Sequence, residues 1–243
     1  MRVVLTLRRV IIGSIATLIL LLVAAGAGWW FLVREDNDLA TSAPAIPSDL
    51  VEPTQTEGAT GAESLTFRIV PERSEAAYFA GEQLARLPVP STAKGATNDI
   101  EGEFHLTADG FDLDGTEESK FTVNLSTLKS DEDRRDNRVQ DALETSRFPT
   151  ATFVIRDVTA VDSTLPPTEE HTFRLTGVLD LHGVQKVTEW EVRARRDGNV
   201  MTALATTTFR FDEFNITPPN IAGFVSVVGD ITLQVQVVAE ALS

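Results

Sequence analysis

The stretch Thr172–Ala194 reads TFRLTGVLDLHGVQKVTEWEVRA. Phe173, Leu175, Gly177, Leu179 and Leu181 alternate with Thr172, Arg174, Thr176 and Asp180. After His182-Gly183 the alternation resumes, with Thr188, Trp190, Val192 and Ala194 set against Glu189, Glu191 and Arg193. A period of two sends successive side chains to opposite faces of a strand, so each half has one apolar and one polar face. His182-Gly183 is a turn between them, and strands joined so closely are antiparallel neighbours.

The same rhythm extends in both directions. Upstream, Ile100, Gly102, Phe104 and Leu106 alternate with Glu101, Glu103 and His105. Phe121, Val123 and Leu125 follow, then Ala151, Phe153 and Ile155. Downstream, the Asp197-Gly198 turn leads into Met201, Ala203, Ala205, Thr207, Phe209 and Phe211, and Val225 to Val237 close the chain. Leu65–Val70 and Glu75–Ala80 are shorter candidates, broken by Pro71-Glu72-Arg73. Residues 81–96 read as a loop whose Leu84 and Leu87 fold back as a cover, and Ile216–Phe224 as a wide turn. About eight antiparallel strands, each with one wet face, must bring their apolar faces together as a sandwich or a closed barrel. An eight-stranded barrel is just wide enough inside for side chains or one slender ligand. Gly102, Gly177, Gly229, Ala203 and Ala205 fall on inward positions. They leave a channel or merely ease strand twist, and pattern alone allows both.

One segment breaks the rhythm. Asp131–Glu144 is dense in Asp, Glu, Arg and Gln, with Val139, Ala142 and Leu143 at helical spacing. We expect one helix, N-capped by Ser130, with Asp133 in the place of a capping-box carboxylate and Pro149 as its stop. A charged helix between two strands of an all-β chain suggests a plug or lid.

The formal net charge is −15. Residues 1–34 carry four Arg and no acid, and residues 35–64 carry seven acids and no base, which leaves −12 for the remainder. An acidic domain repels phosphates, so nucleic acid is not an expected partner. The absence of Cys excludes disulfides, thiolate metal sites, a Cys nucleophile and a lipidated N-terminal Cys. Val10–Val33 is uncharged and largely apolar over 24 residues, behind Arg2, Arg8 and Arg9 and with Trp29 and Trp30 near its far end. That length spans a bilayer core, and the basic flank places the N-terminus in the cytoplasm and the rest outside. The rival is a cleaved signal peptide with a site at Ala25-Gly26-Ala27, past which the apolar run continues. Residues 35–64, rich in Pro, Ser, Thr and acid, read as a solvated linker. The expected organisation is therefore a segment 1–34, a linker 35–64 and one β domain 65–243.

Three blocks resemble the YceI-like family. Arg135-Asp136 with Leu143 and Arg147-Phe148-Pro149-Thr150-Ala151-Thr152-Phe153 is similar to its helix-to-strand segment. Gly177-Val178-Leu179-Asp180-Leu181-His182-Gly183-Val184-Gln185-Lys186 resembles its Gly-x-Leu strand and following turn. Phe209-Arg210-Phe211-Asp212-Glu213-Phe214-Asn215-Ile216 resembles its third block. The blocks come in the family's order, and the match runs from about Thr66 to Ala239. Asn137-Arg138-Val139 departs from the family's His-Leu after the Arg-Asp pair, and Phe148 stands where Tyr is usual. The resemblance implies an extended, lipocalin-like antiparallel barrel, usually exported to the periplasm. It also implies an apolar channel for a long isoprenoid, an isoprenoid quinone or another amphiphilic lipid.

No catalytic set accompanies these signals. His105, His171 and His182 have no local metal spacing and are expected in ordinary surface roles. Asp112-Leu113-Asp114-Gly115 lacks the outer positions of a calcium loop. There is no nucleophile elbow or phosphate loop, and Asp212 and Glu213 would point to opposite faces of a strand. The sequence thus predicts a membrane-tethered extracytoplasmic binding protein that leaves its ligand chemically unchanged, with no cofactor beyond a possible bound isoprenoid or quinone. Phe104, Phe121, Phe153, Leu175, Leu179 and Phe209 are the expected channel lining. Arg135 and Asp136 are expected as a polar gate or as a pin holding the helix to the barrel. The alternative is a filled-core domain binding another protein, and a homodimer is compatible with either.

Overall fold

A computed structural model describes residues 38–51, 64–84, 91–107, 112–115, 117–161, 166–221 and 225–242. The chain divides into two units, Met1–Asn37 and Asp38–Ser243, and the described residues belong to the second. The expected membrane or signal segment 1–34 lies outside them. Among the described residues no helix is long and apolar enough to cross a membrane.

The strands are β1 (Ser64–Ile69), β2 (Glu75–Leu84), β3 (Ser91–Thr97), β4 (Ile100–Thr107), β5 (Lys120–Asn124), β6 (Thr150–Ala160), β7 (His171–Leu181), β8 (Val184–Asp197), β9 (Val200–Phe209), β10 (Asn220–Ile221) and β11 (Val225–Ala241). One helix, α1 (Asp133–Ala142), joins β5 to β6. The order β1-β4-β5-β6-β7-β8-β9-β11, with β11 pairing back onto β1, closes a ring of eight antiparallel strands. Of the two architectures open to the sequence, the barrel is the one formed. β2 and β3 continue the β1 and β4 edges as a paired flap along β11. Chain neighbours are mostly sheet neighbours, because short turns demand it. At His182-Gly183 both residues have positive φ, the geometry of a tight hairpin, which Gly183 adopts without strain.

Several expectations are corrected. The loop expected over 81–96 is instead strand at both ends, β2 running to Leu84 and β3 starting at Ser91. β3 hid in a polar sequence because its alternation rests on Ala93 and Gly95, and the Tyr78 ring lies where a Gly95 side chain would project. The helix is shorter than expected, and Glu132 is its N-cap, its carboxylate accepting from Arg134 N–H. Asp136 takes the place expected for Asp133. It reaches back to accept from both N–H and hydroxyl of Ser130, at 2.8 and 2.7 Å.

The expected linker is also in part structured. Residues 38–51 lie across the outside of β8, β9 and β11. Gln234, buried on β11, donates to Ala40 O and accepts from Ala40 N–H, each at 2.9 Å. Arg193 and Arg195 donate to the carbonyls of Thr41 and Ala43, and Asn199 donates to Leu50 O. Ala43 is buried, as are the outward-facing Val200, Thr202, Leu204 and Val238. Composition predicted solvation because the segment has little apolar surface of its own. Side chains of the barrel satisfy its backbone groups instead, and that gain is invisible in the segment's sequence.

Replacing Gln234 with Ala should strand both Ala40 backbone groups and lower stability by roughly 1–3 kcal/mol. Urea denaturation measures the loss, and amide exchange at Ala40 should accelerate with it.

Candidate functional site

The apolar faces of β1, β4–β9 and β11 converge on one core, but it is not packed evenly along the barrel axis. Near α1 it is solid. Ile100, Phe153 and Trp190 are at most 2% exposed. Phe121, Phe153 and Trp190 form a ladder with ring centroids 5.4 Å apart at each step. The Phe153 ring presses on Gly177 of the neighbouring strand, where any side chain would collide with it and with the Val154 carbonyl. Trp190 Nε1 donates to Thr188 Oγ1, so its burial strands no donor.

The opposite end holds a cavity of about 110 Å³. It lies where β4, β6 and β8 finish and β5, β7 and β9 begin. Phe104, Leu106, Phe121, Val158, Phe173, Leu175 and Met201 line it, together with the small side chains Ala194, Ala203 and Ala205. Exposed Pro167 and the arginines 195 and 196 stand at its mouth. The void exists because three alanines on adjoining strands face rings that do not fill the space they leave.

Of the expected lining residues, Phe104, Phe121 and Leu175 border this cavity. Phe153, Leu179 and Phe209 do not, and sit in the packed core. Among the described residues the cavity does not run the length of the barrel, as the resemblance implied it would: Phe153 and Trp190 of the aromatic ladder fill the bore and do not line it. Sequence reasoning missed Met201, Ala194 and Val158 as lining residues. The inward parity of Met201 and Ala194 was legible, but periodicity does not tell which end of a strand borders empty space. Val158 is out of phase with Phe153 and Ile155 and faces inward only because the register shifts between Ile155 and Asp157.

Arg135 and Asp136 lie at the closed end, and neither borders the cavity. Arg135 Nε donates to Glu82 Oε1 on β2 at 3.1 Å, and Arg135 also pairs with Asp131. Burial acts against the Arg135 cation, and the hydrogen bond and charge of Glu82, with Asp131, outweigh it, so its pKa is raised. Asp136 is buried, holds Ser130, and has Lys129 Nζ 3.5 Å away. The geometry is that of a pin between helix and flap. The three sequence blocks meet at this same end. The Phe148 ring packs edge-on to His182, 4.9 Å between centroids, and covers Gly183. His182 Nδ1 is 3.1 Å from Phe214 O, and Phe214 meets Phe209 edge to face.

Of the three histidines, expected at the surface, His105 and His171 are buried and His182 is half-buried. His105 Nδ1 lies 3.1 Å from Thr66 Oγ1 and His171 Nε2 lies 3.0 Å from Pro166 O. Each has found a local partner, which is why a polar ring is tolerated inside. Among the described residues no group of three His, Asp or Glu could hold a metal ion.

A family model described as a YceI-like domain matches residues 67–239. Burkholderia cenocepacia BcnA is similar in fold, with 16% identity, a TM-score of 0.52, and coverage of 70% of this chain and 98% of that one. A polyisoprenoid binding domain from Saccharophagus degradans, implicated in plant cell wall breakdown, is similar at 16% identity and a TM-score of 0.54, over 73% of this chain and 99% of that one. No curated protein matches the chain by sequence.

Tyr78, the single tyrosine of the chain, provides a probe of the pinned end. Burial pushes its pKa from 10.0 up to about 12; Arg135 opposes this and Asp136, Glu82 and Asp131 add to it. Below pH 10 both folded and unfolded states hold the proton, so stability is unaffected. Above it the unfolded state ionises first, and stability should fall between pH 10 and about 12. Absorbance titration at the tyrosinate band should show one transition near pH 12 in the folded protein.

Proposed function

The chain belongs to the family of YceI-like domains, and on that premise we propose that it binds the apolar tail of an amphiphile, an isoprenoid or a fatty chain, in the cavity at the open end of the barrel. The observation that carries this reading is the void between Ala194, Ala203 and Ala205 and the facing rings of Phe104, Phe121 and Phe173. A largely apolar cavity beside a mouth is a receptor for hydrocarbon, and burial of a tail is worth ~25 cal/mol per Å² of apolar surface. The polyisoprenoid binding named for the similar Saccharophagus degradans domain supports the same class of ligand.

Size sets the mode of binding. The cavity, at about 110 Å³, is smaller than the ~150 Å³ void that admits a benzene ring. It takes the tip of a chain as it stands. A longer stretch needs side chains at the open end to swing aside, and Met201, unbranched and with three rotatable bonds, is the side chain best suited to yield. An isoprenoid quinone would enter tail first, and no chemistry on the ligand is part of the proposal. Arg2, Arg8 and Arg9 followed by the apolar run Val10–Val33 support a membrane tether, with the barrel on the extracytoplasmic side.

A second reading has its own observation. The solid half of the core, around Phe153 and Trp190, favours a filled-core domain displayed for a protein partner. Native mass spectrometry of the full chain purified from its own membranes separates the two. On the carrier reading a lipid mass accompanies the protein. Ala203→Phe, which fills the void, should remove that mass at a stability cost of about 1–3 kcal/mol. Lipid retained unchanged by a folded Ala203→Phe protein, or no lipid on the wild type, would favour the filled-core domain.

A further inference from the structure

The mouth of the cavity bears on which headgroup the ligand carries. On β8, Trp190, Val192 and Ala194 face inward, and the next position in that row is Arg196. It stands opposite Met201 in the ladder, and its N–H donates to Pro167 O at 2.8 Å, which fixes it at the rim. Arg195 also borders the cavity. Its Nη2 donates to Glu170 Oε2 and to Ala43 O, both at 3.0 Å, while its Nε is buried with no hydrogen-bond partner among the described residues.

The two cations are not equivalent. Glu170 offsets the charge of Arg195. Arg196 makes no ion pair among the described residues, so the positive charge at the rim rests on it. In a chain of net charge −15, an arginine without a carboxylate partner beside an apolar opening departs from the surrounding surface. A guanidinium presents paired donors that match the oxygens of a carboxylate or phosphate, and a neutral headgroup gains little from it.

We propose, resting on the binding reading above, that the amphiphile carries an anionic headgroup, a carboxylate or a phosphate, and that Arg196 receives it at the mouth while the tail enters the void. Arg195, already held by Glu170, positions the rim and adds its remaining donor. A fatty acid and a polyprenyl phosphate share this chemistry. A fatty alcohol or an uncharged quinone does not.

Photo-crosslinking tests this on the full chain in lipid nanodiscs. The probes are a palmitic acid with a diazirine at its tail end and the corresponding alcohol, with labelled peptides mapped by mass spectrometry. The acid should label peptides of β7 to β9 about tenfold more than the alcohol, the scale of one charge-assisted contact. Arg196→Gln should reduce acid labelling to the alcohol's level and leave alcohol labelling unchanged, and Arg196→Lys should restore much of it. Stronger competition from farnesyl phosphate than from palmitate would name a phosphate headgroup, and the reverse a carboxylate, either supporting the proposal. Equal labelling by acid and alcohol in the wild type, or acid labelling undiminished in Arg196→Gln, overturns the headgroup assignment and leaves tail binding standing. No labelling of the barrel interior by either probe overturns tail binding and this proposal with it.

Discussion

Everything in this molecule depends on how the last strand closes the ring. β11 is 17 residues long, and it has two edges to satisfy. One edge pairs with β9 over ten positions. The other pairs with β2 and then, past a break at Pro71-Glu72-Arg73, with β1 over only three positions. Ser74 spans the break. Fully buried, it donates to Val70 O and Val238 O and accepts from Val238 N–H. Val70 N–H donates to Val238 O alongside it. Without such a stitch the proline-started turn would leave buried main-chain groups unpaired at the one place where the sheet meets itself, and each would carry a desolvation penalty.

Closure makes an interior, and the interior is polarised. At one end, α1 is pinned by Arg135 and Glu82, and the rings of Phe148, His182, Phe209 and Phe214 pack beneath the turns. The ladder through Phe153 and Trp190 then fills the bore. At the other end the same strands carry alanine where those rings would be, and the bore is left open over a short depth. A barrel of eight strands has little spare radius, so the choice between aromatic and alanine at an inward position decides between core and cavity.

The outer wall shows the same economy. β9 is buried on both faces, Ala205 and Phe209 in the core and Val200, Thr202 and Leu204 on the outer side. The segment 38–51 supplies the Ala43 carbonyl that holds Arg195 beside the mouth. The chain that precedes the barrel is therefore built into the wall that frames the cavity.

The sequence by itself determined most of the strands and their facing, though not β3 or the far end of β2. Alternation such as Phe173 to Leu181 is a local property set by backbone geometry, and His182-Gly183 and Gly198 mark their own turns. It placed Phe104, Phe121 and Leu175 on inward positions, and these border the cavity. Only the tertiary structure decided that Phe153, Leu179 and Phe209 lie away from the cavity, that His105 and His171 are buried, and that residues 38–51 dock. Each of those depends on what stands opposite in space, a residue tens or hundreds of positions away. Gly177 beneath Phe153 and Gln234 beside Ala40 are such pairs, and no period along the chain encodes them.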